Sequence, residues 1–120
     1  MASLRENSIS KISTTTGVDM KTVASTTLYT VPTGKTLFVT DVVIRSNSAS
    51  LAGGTSYSFT TWRQTVDLSG MTVTTGYRLL ATTDNSTFTP IAAAGTFQIT
   101  VTTGSTAACT ATIDVFGYLV

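Results

Sequence analysis

Any enzymatic chemistry in this sequence would have to begin with its carboxylates. Two carboxyl groups held about 5–10 Å apart can hydrolyse a glycosidic bond. The spacing along the chain selects no such pair, although Asp41 could meet Asp67 or Asp114 after folding. The chain has no histidine, which excludes Ser-His and Cys-His catalysis and removes the commonest metal ligand. The acids are Glu6, Asp19, Asp41, Asp67, Asp84 and Asp114. We therefore predict that the protein is not an enzyme and assign no catalytic residue.

Metal and cofactor sites find equally little support. Cys109 is the single cysteine, so the chain has no intrachain disulfide and too few thiols for a zinc site. Because it lies in an apolar run, we expect it to be buried. Residues 84–86 offer one carboxylate, whereas calcium usually takes several, so they are predicted to form a turn. Gly53 and Gly54 precede a predicted strand, unlike a phosphate-binding loop, which opens a helix. We expect no metal and no cofactor.

Trp62 and Arg63 form the one adjacent pair that is typical of interface hot spots. A contact role and a core position for Trp62 both remain open. Tyrosines sharing an exposed face with Trp62 would instead favour stacking on sugars, but the sequence does not fix their faces. These tyrosines are Tyr29, Tyr57, Tyr77 and Tyr118.

The composition predicts a neutral, hydrogen-bonding surface. Only 11% of the residues are charged, against about 25% in an ordinary soluble domain. Their place is taken by 28 threonines and 13 serines. Threonine is β-branched, which suits a strand, and its hydroxyl is compatible with water without carrying charge. Such a surface suits packing against other proteins. The seven Lys and Arg residues are scattered, so we expect no nucleic-acid partner.

The N-terminal residues 1–7 lack the apolar segment of a secretion signal, and no segment is long enough for a transmembrane helix. We therefore expect a protein made in the cytoplasm that has no membrane partner. A threonine-rich surface of the secreted type without an export signal is typical of virion proteins. Such proteins assemble inside the host and then work outside it.

The chain divides into two predicted parts. Residues 1–20 are rich in serine and threonine, and we expect them to form an extended N-terminal arm. Within this arm, Leu4, Ile9 and Ile12 are candidates for contact with a partner, because an extended segment can add a strand to another protein's sheet. Residues 21–120 are predicted to form a single β-domain.

Short apolar runs separated by turn residues predict about eight strands and no helix from residue 21 onward. The strongest strand spans 36–46 and follows a turn at 31–35. Alternation places one set of its side chains on one face (Phe38, Thr40, Val42, Ile44) and another set on the opposite face (Leu37, Val39, Asp41, Val43, Arg45). Because both sets are largely apolar, the strand is predicted to be central. The other predicted strands are 23–31, 55–63, 65–68, 71–74, 77–82, a run around 97–101, and 106–120. The fold class is all-β, an antiparallel β-sandwich with a jelly-roll topology favoured and an immunoglobulin-like sandwich as the runner-up.

Residues 26–44 resemble a segment of structural proteins from tailed bacteriophages. In those proteins a strand ending in Tyr-Thr-Val-Pro-x-Gly-Lys leads into an apolar strand and then into a loop rich in Asn and Ser. Here residues 29–35 supply the motif, 36–44 the apolar strand and 45–48 the loop. The resemblance covers about 20 of the 120 residues and marks a β-hairpin rather than an activity.

The resemblance implies a small β-sandwich virion protein of the capsid decoration (cement) type. Such proteins bind the major capsid protein on the exterior of the head, commonly as homotrimers, and have no catalytic residues. We therefore predict a structural protein that clamps adjacent coat subunits. The alternative is a carbohydrate- or receptor-binding module of a phage tail or fibre. The sequence does not determine whether the protein belongs to the head or to the tail, nor its oligomeric state or its contact surface.

Overall fold

The computed structural model describes residues 10–60, 62–73, 77–81 and 90–120, and for residues 62–64 and 77–81 it describes the backbone alone. The described residues form strands and turns and contain no helix. The strands are β1 (Ser10–Asp19), β2 (Ser25–Thr30), β3 (Leu37–Arg45), β4 (Ser56–Phe59), β5 (Trp62–Val66), β6 (Tyr77–Ala81), β7 (Thr96–Thr103) and β8 (Thr110–Leu119).

The strands form four antiparallel pairs. β1 pairs with β8, β2 with β7, β3 with β6, and β4 with β5, all antiparallel. Further pairing of β3 with β8 and of β4 with β7 joins the four pairs into sheet A (β1-β8-β3-β6) and sheet B (β2-β7-β4-β5). This nested order is that of a jelly roll, and it differs from an immunoglobulin-like sandwich, where the first two strands share a sheet. The predicted all-β sandwich is therefore confirmed.

The hydrophobic core lies between the two sheets. Alternate residues of β7 and β8 point into it, and Phe97, Ile99, Ile113 and Val115 are fully buried. The ring of Phe97 stacks on that of Phe59, with centroids 5.8 Å apart and planes at 12°. Close packing of this kind fixes the spacing of the sheets.

β3 is central, as predicted, but its two faces differ from the simple alternation. A β-bulge at Thr40 leaves Val39 opposite Gly117 and Asp41 opposite Phe116. The extra residue reverses which side chains point inward from that position on. Four residues of β3 belong to the core (Leu37, Val39, Val42, Ile44). The prediction that Phe38, Thr40, Val42 and Ile44 share one face was therefore wrong, because Phe38 points outward whereas Val42 and Ile44 point into the core.

Most of the segment predicted as an arm is part of the sandwich. Residues 10–19 form β1, which pairs with β8 at the edge of sheet A, and Val18 and Met20 are buried. The strand accommodates a register shift near Gly17, whose φ of +66° is a conformation that glycine adopts at little cost. The side chain of Ser13 donates a hydrogen bond to the Leu28 carbonyl of β2 at 3.1 Å and so links the two sheets at this edge. Residues 1–9 lie outside the described residues.

Two local predictions are confirmed and one is wrong. The turn at 31–35 closes through a 3.2 Å hydrogen bond from Lys35 N to the Pro32 carbonyl, and Cys109 is buried. The predicted strand over 71–74 is not formed by residues 71–73, which lie in turns. Met71 is nevertheless buried, and its backbone N–H donates to the Leu68 carbonyl at 3.0 Å. Its apolar character therefore reflects a loop that covers the core.

Candidate functional site

The acids considered for catalysis lie in different surroundings. Asp67 accepts a hydrogen bond from the Ser69 backbone in a turn after β5. Asp41 and Asp114 lie on the outer face of sheet A, where the register makes them diagonal neighbours on β3 and β8. Glycosidic hydrolysis needs one carboxyl with a raised pKa. The pKa of Asp114 is instead lowered, so this carboxyl stays ionised. Within the described residues no three His, Cys, Asp or Glu side chains converge as metal ligands.

Asp114 joins three strands of sheet A. Arg45 Nε on β3 donates to Asp114 Oδ2 at 2.8 Å, and Thr14 Oγ1 on β1 donates to Asp114 Oδ1 at 2.7 Å. The hydrogen bond from Arg45 is the largest cause of the lowered pKa of Asp114, and the bond from Thr14 adds to it. The Asp114 side chain is 8% exposed, whereas that of Arg45 is 40% exposed. The network therefore fixes the register of β1, β8 and β3 rather than offering a reactive group.

Asp114→Asn is expected to weaken the dependence of folding stability on acid pH. Because the folded-state pKa lies below the ordinary 3.8, the ionised carboxylate stabilises the fold at neutral pH. This stabilisation is lost as the pH falls from about 5 through the folded-state pKa. At neutral pH the substitution should cost about 1 kcal/mol of unfolding free energy, since Arg45 is partly solvated. Urea denaturation at a series of pH values measures both effects.

The matched comparison is wild type against Asp114→Asn at each pH. Asp19 also has a lowered pKa, mainly through the Thr22 hydroxyl and the Lys21 backbone N–H. Because Asp19 titrates in both proteins, the difference between the two profiles isolates Asp114. Parallel profiles would contradict the assigned role.

The outer face of sheet A carries partly exposed aromatic side chains. Phe38 and Tyr118 stack with ring centroids 5.0 Å apart and planes at 9°. Phe116 lies two residues before Tyr118 on β8 and shares its face. Val43 lies opposite Asp114 in the β3–β8 ladder. We call this surface, defined by Phe38, Val43, Phe116 and Tyr118, the aromatic face. Among the described side chains of sheet A, four charged ones border the aromatic face: Lys11, Asp41, Arg45 and Asp114. Asp19 lies apart from it, at the end of β1.

The outer face of sheet B has a different chemistry. β2, β4 and β7 contain no charged residue at all. Since the alternate residues of these strands fill the core, those that point outward carry hydroxyl or amide groups. We call this surface the hydroxyl face, and it comprises Ser25, Thr27, Thr30, Ser58, Thr96, Gln98 and Thr100.

The side chains of the hydroxyl face are ordered by hydrogen bonds to one another. Ser25 Oγ and Thr100 Oγ1 share a hydrogen bond of 2.8 Å, and Gln98 Nε2 donates to Thr27 Oγ1 at 3.1 Å. Ser25, Thr100 and Ser58 also lie in one cross-strand row over β2, β7 and β4. Each hydroxyl keeps further capacity to donate or accept. The face can therefore bind a neutral, polar partner without desolvating a charge.

The predicted contact residues have different outcomes. Leu4 and Ile9 lie outside the described residues. Ile12 packs in part against the core of its own domain, which leaves less of it for a partner. Trp62 and Arg63 lie on β5, the edge strand of sheet B, with Trp62 opposite Phe59. Their side chains are outside the described part, so their contact role stays a prediction.

Two of the tyrosines considered for a sugar-binding platform pack into or against the core. Tyr57 is fully buried, and its hydroxyl donates to the Met20 carbonyl at 2.8 Å. Burial raises the pKa of Tyr57 to about 12. Tyr29 packs in part against the core. Of the tyrosines whose side chains are described, Tyr118 lies on an outer face, and there it stacks on Phe38.

Comparison with known proteins adds no relative: no family model matches the chain, and no curated protein is similar in sequence. Among the described residues, no helix has the length and apolar character needed to span a membrane.

Proposed function

We propose that this protein is a structural component of a phage particle, a capsid decoration (cement) protein that binds the major capsid protein on the outside of the head. It would be made in the host cytoplasm and act on the virion. The observation that supports this best is the hydroxyl face, a set of uncharged, hydrogen-bonded side chains on β2, β4 and β7 of a jelly-roll sandwich. Viral capsid proteins are among the proteins that use this fold.

The proposed mechanism is mechanical. The hydroxyl face packs on coat subunits through neutral hydrogen bonds, and each copy clamps adjacent subunits against internal pressure. Single contacts of this kind are modest, at about 1 kcal/mol per hydrogen bond. An oligomer that engages several sites at once gains effective concentration, so the assembled contact is strong. Residues 1–9, which precede the edge strand β1, carry Leu4 and Ile9 as a second contact to coat protein.

Thr100→Lys is expected to weaken binding to phage heads about tenfold. Thr100 lies in the central row of the hydroxyl face, and an ammonium there would be buried without a partner on binding. The measurement is co-sedimentation with empty heads of the parent phage that were produced without this protein, at a series of protein concentrations.

Thr33→Lys is the matched control, because it makes the same change at an exposed position of the β2–β3 turn. This variant should bind as the wild type does. Equal binding of Thr100→Lys and wild type would reject the hydroxyl face as the contact surface. Failure of the wild type to sediment with heads would reject the decoration role.

The alternative function, a carbohydrate- or receptor-binding module, draws less support from the described residues. A sugar platform needs exposed aromatic rings, but Tyr57 and Tyr29 contribute to or cover the core. A glycan-array signal that is lost in Trp62→Ala would favour this alternative over capsid decoration.

A further inference from the structure

One row of side chains crosses the aromatic face with opposite charges at its two ends. In the ladders of sheet A, Phe116 on β8 lies opposite Lys11 on β1 and opposite Asp41 on β3. The strands are about 5 Å apart, so Lys11 and Asp41 lie about 10 Å from each other on either side of the ring. Within the described part of the chain, the salt bridge is that of Arg45 with Asp114, and neither Lys11 nor Asp41 forms one. The charge of Lys11 acts on Asp114 from a distance and contributes to the lowered pKa of that carboxyl.

We propose that the aromatic face binds a second copy of this chain in a two-fold symmetric dimer. Phe116 lies at the axis, and Lys11 of each copy faces Asp41 of the other. This inference goes beyond the capsid role and does not depend on it.

Charge complementarity identifies the occupant as a second copy. A two-fold axis that runs along β8 in the plane between two facing sheets exchanges the two sides of that strand. It therefore places Lys11 of one copy opposite Asp41 of its partner, and the same contact occurs a second time. The row is thus complementary to itself, with an aromatic centre and one ion pair at each side. Each of these ion pairs lies beside the apolar ring of Phe116. The ring excludes water, and this strengthens the attraction between the two charges.

The apolar content and size of the face fit this partner. Phe38, Phe116 and Tyr118 lie outside the core cluster, and each of them is partly exposed. Sheet A has four strands and β8 has ten residues. Standard strand spacings then give the whole outer face of sheet A an area of about 600 Å² per copy, so a pair that covers all of it buries at most about 1,200 Å², the lower limit for specific interfaces. The dimer should therefore dissociate on dilution.

The symmetry differs from that implied by the phage resemblance. A trimer needs two different patches that meet head to tail, whereas an isologous pair uses one patch twice. The Lys11–Phe116–Asp41 row is a single patch of the second kind. The mass of the assembly in solution separates the two arrangements.

The test is sedimentation equilibrium of the purified chain from low micromolar to high micromolar concentration. The wild type should move from the monomer mass of 12.5 kDa towards twice that value. Lys11→Glu and Asp41→Lys should each weaken the dimer about tenfold or more, because two attractions become two repulsions. The double variant, Lys11→Glu with Asp41→Lys, should restore dimerisation to about the wild-type level.

Lys35→Glu is the control, since it reverses an exposed charge in the turn before β3, outside the Lys11–Phe116–Asp41 row, and it should leave the dimer unchanged. Circular dichroism of each variant establishes that it is folded. A wild type that stays monomeric or forms trimers overturns the inference. So does a double variant that fails to recover while remaining folded. Because only the purified chain is measured, these outcomes are independent of binding to heads.

Discussion

Gly117→Ala is expected to lower the free energy of unfolding by about 3 kcal/mol. A Cβ at this position would clash with the Phe38 carbonyl oxygen and lie 3.1 Å from Val39 Cα. Both are backbone atoms of β3, so the clash can be relieved only by separating β3 from β8. The strain would fall beside the bulge at Thr40 that turns Asp41 to the outer face. Urea denaturation of the two proteins at neutral pH measures the loss.

Gly70→Ala provides the matched control. A Cβ at Gly70 has no atom within 4 Å, and its φ is not positive. This variant should change stability by no more than about 0.5 kcal/mol. If both alanine variants have the same stability, the close approach of β3 to β8 at Gly117 is not as described.

Phe97→Ala is expected to cost about 4 kcal/mol, the typical loss for a large aromatic side chain removed from a packed core. Phe97 is fully buried between the sheets, and its stacking partner Phe59 would face a cavity. The residual cavity adds to the lost transfer energy, because neighbouring strands are held by their ladders and relax only in part. Thermal and urea unfolding should both show the loss, with the variant only marginally folded.

Phe116→Ala is the comparison that separates the core from the outer face. The same atoms are removed, but Phe116 is only partly buried and lies outside the core cluster. Its loss should cost about 1 kcal/mol of monomer stability. Equal losses would contradict the placement of Phe97 in the core between the sheets and of Phe116 on the outer face of sheet A.

Much of the fold was accessible from the sequence because its strands are short and strongly patterned. The alternation of Phe97, Ile99 and Val101 predicted their common inward face, and all three are buried. The turn at 31–35 followed from a proline and a glycine at fixed spacing. The hydroxyl face is also marked in the sequence, since β2, β4 and β7 contain no charged residue, but only the pairing of these strands brings them together.

What the sequence did not predict depends on long-range register. The bulge at Thr40 has no mark in the sequence, yet it decides that Phe38 and Asp41 point outward. β1 was taken for an arm because its inward positions include Ser13 and Thr15, whose hydroxyls face the Leu28 carbonyl of β2 in place of apolar side chains. The row of Lys11, Phe116 and Asp41 draws on residues about 30 to 105 positions apart, so only the assembled sheet contains it.

The nested pairing of the strands also constrains how the protein folds during its synthesis. Of the described strands β8 is the last to be synthesised, and it separates β1 from β3 in sheet A. Until its residues leave the ribosome, β1 has no hydrogen-bonded strand partner and the edge of β3 that pairs with β8 is open. Structures whose closing contacts join the two ends of the chain fold slowly, over milliseconds to seconds. Sheet A can therefore close only after β8 has left the ribosome, and in that interval its open strand edges are the surfaces from which aggregates grow.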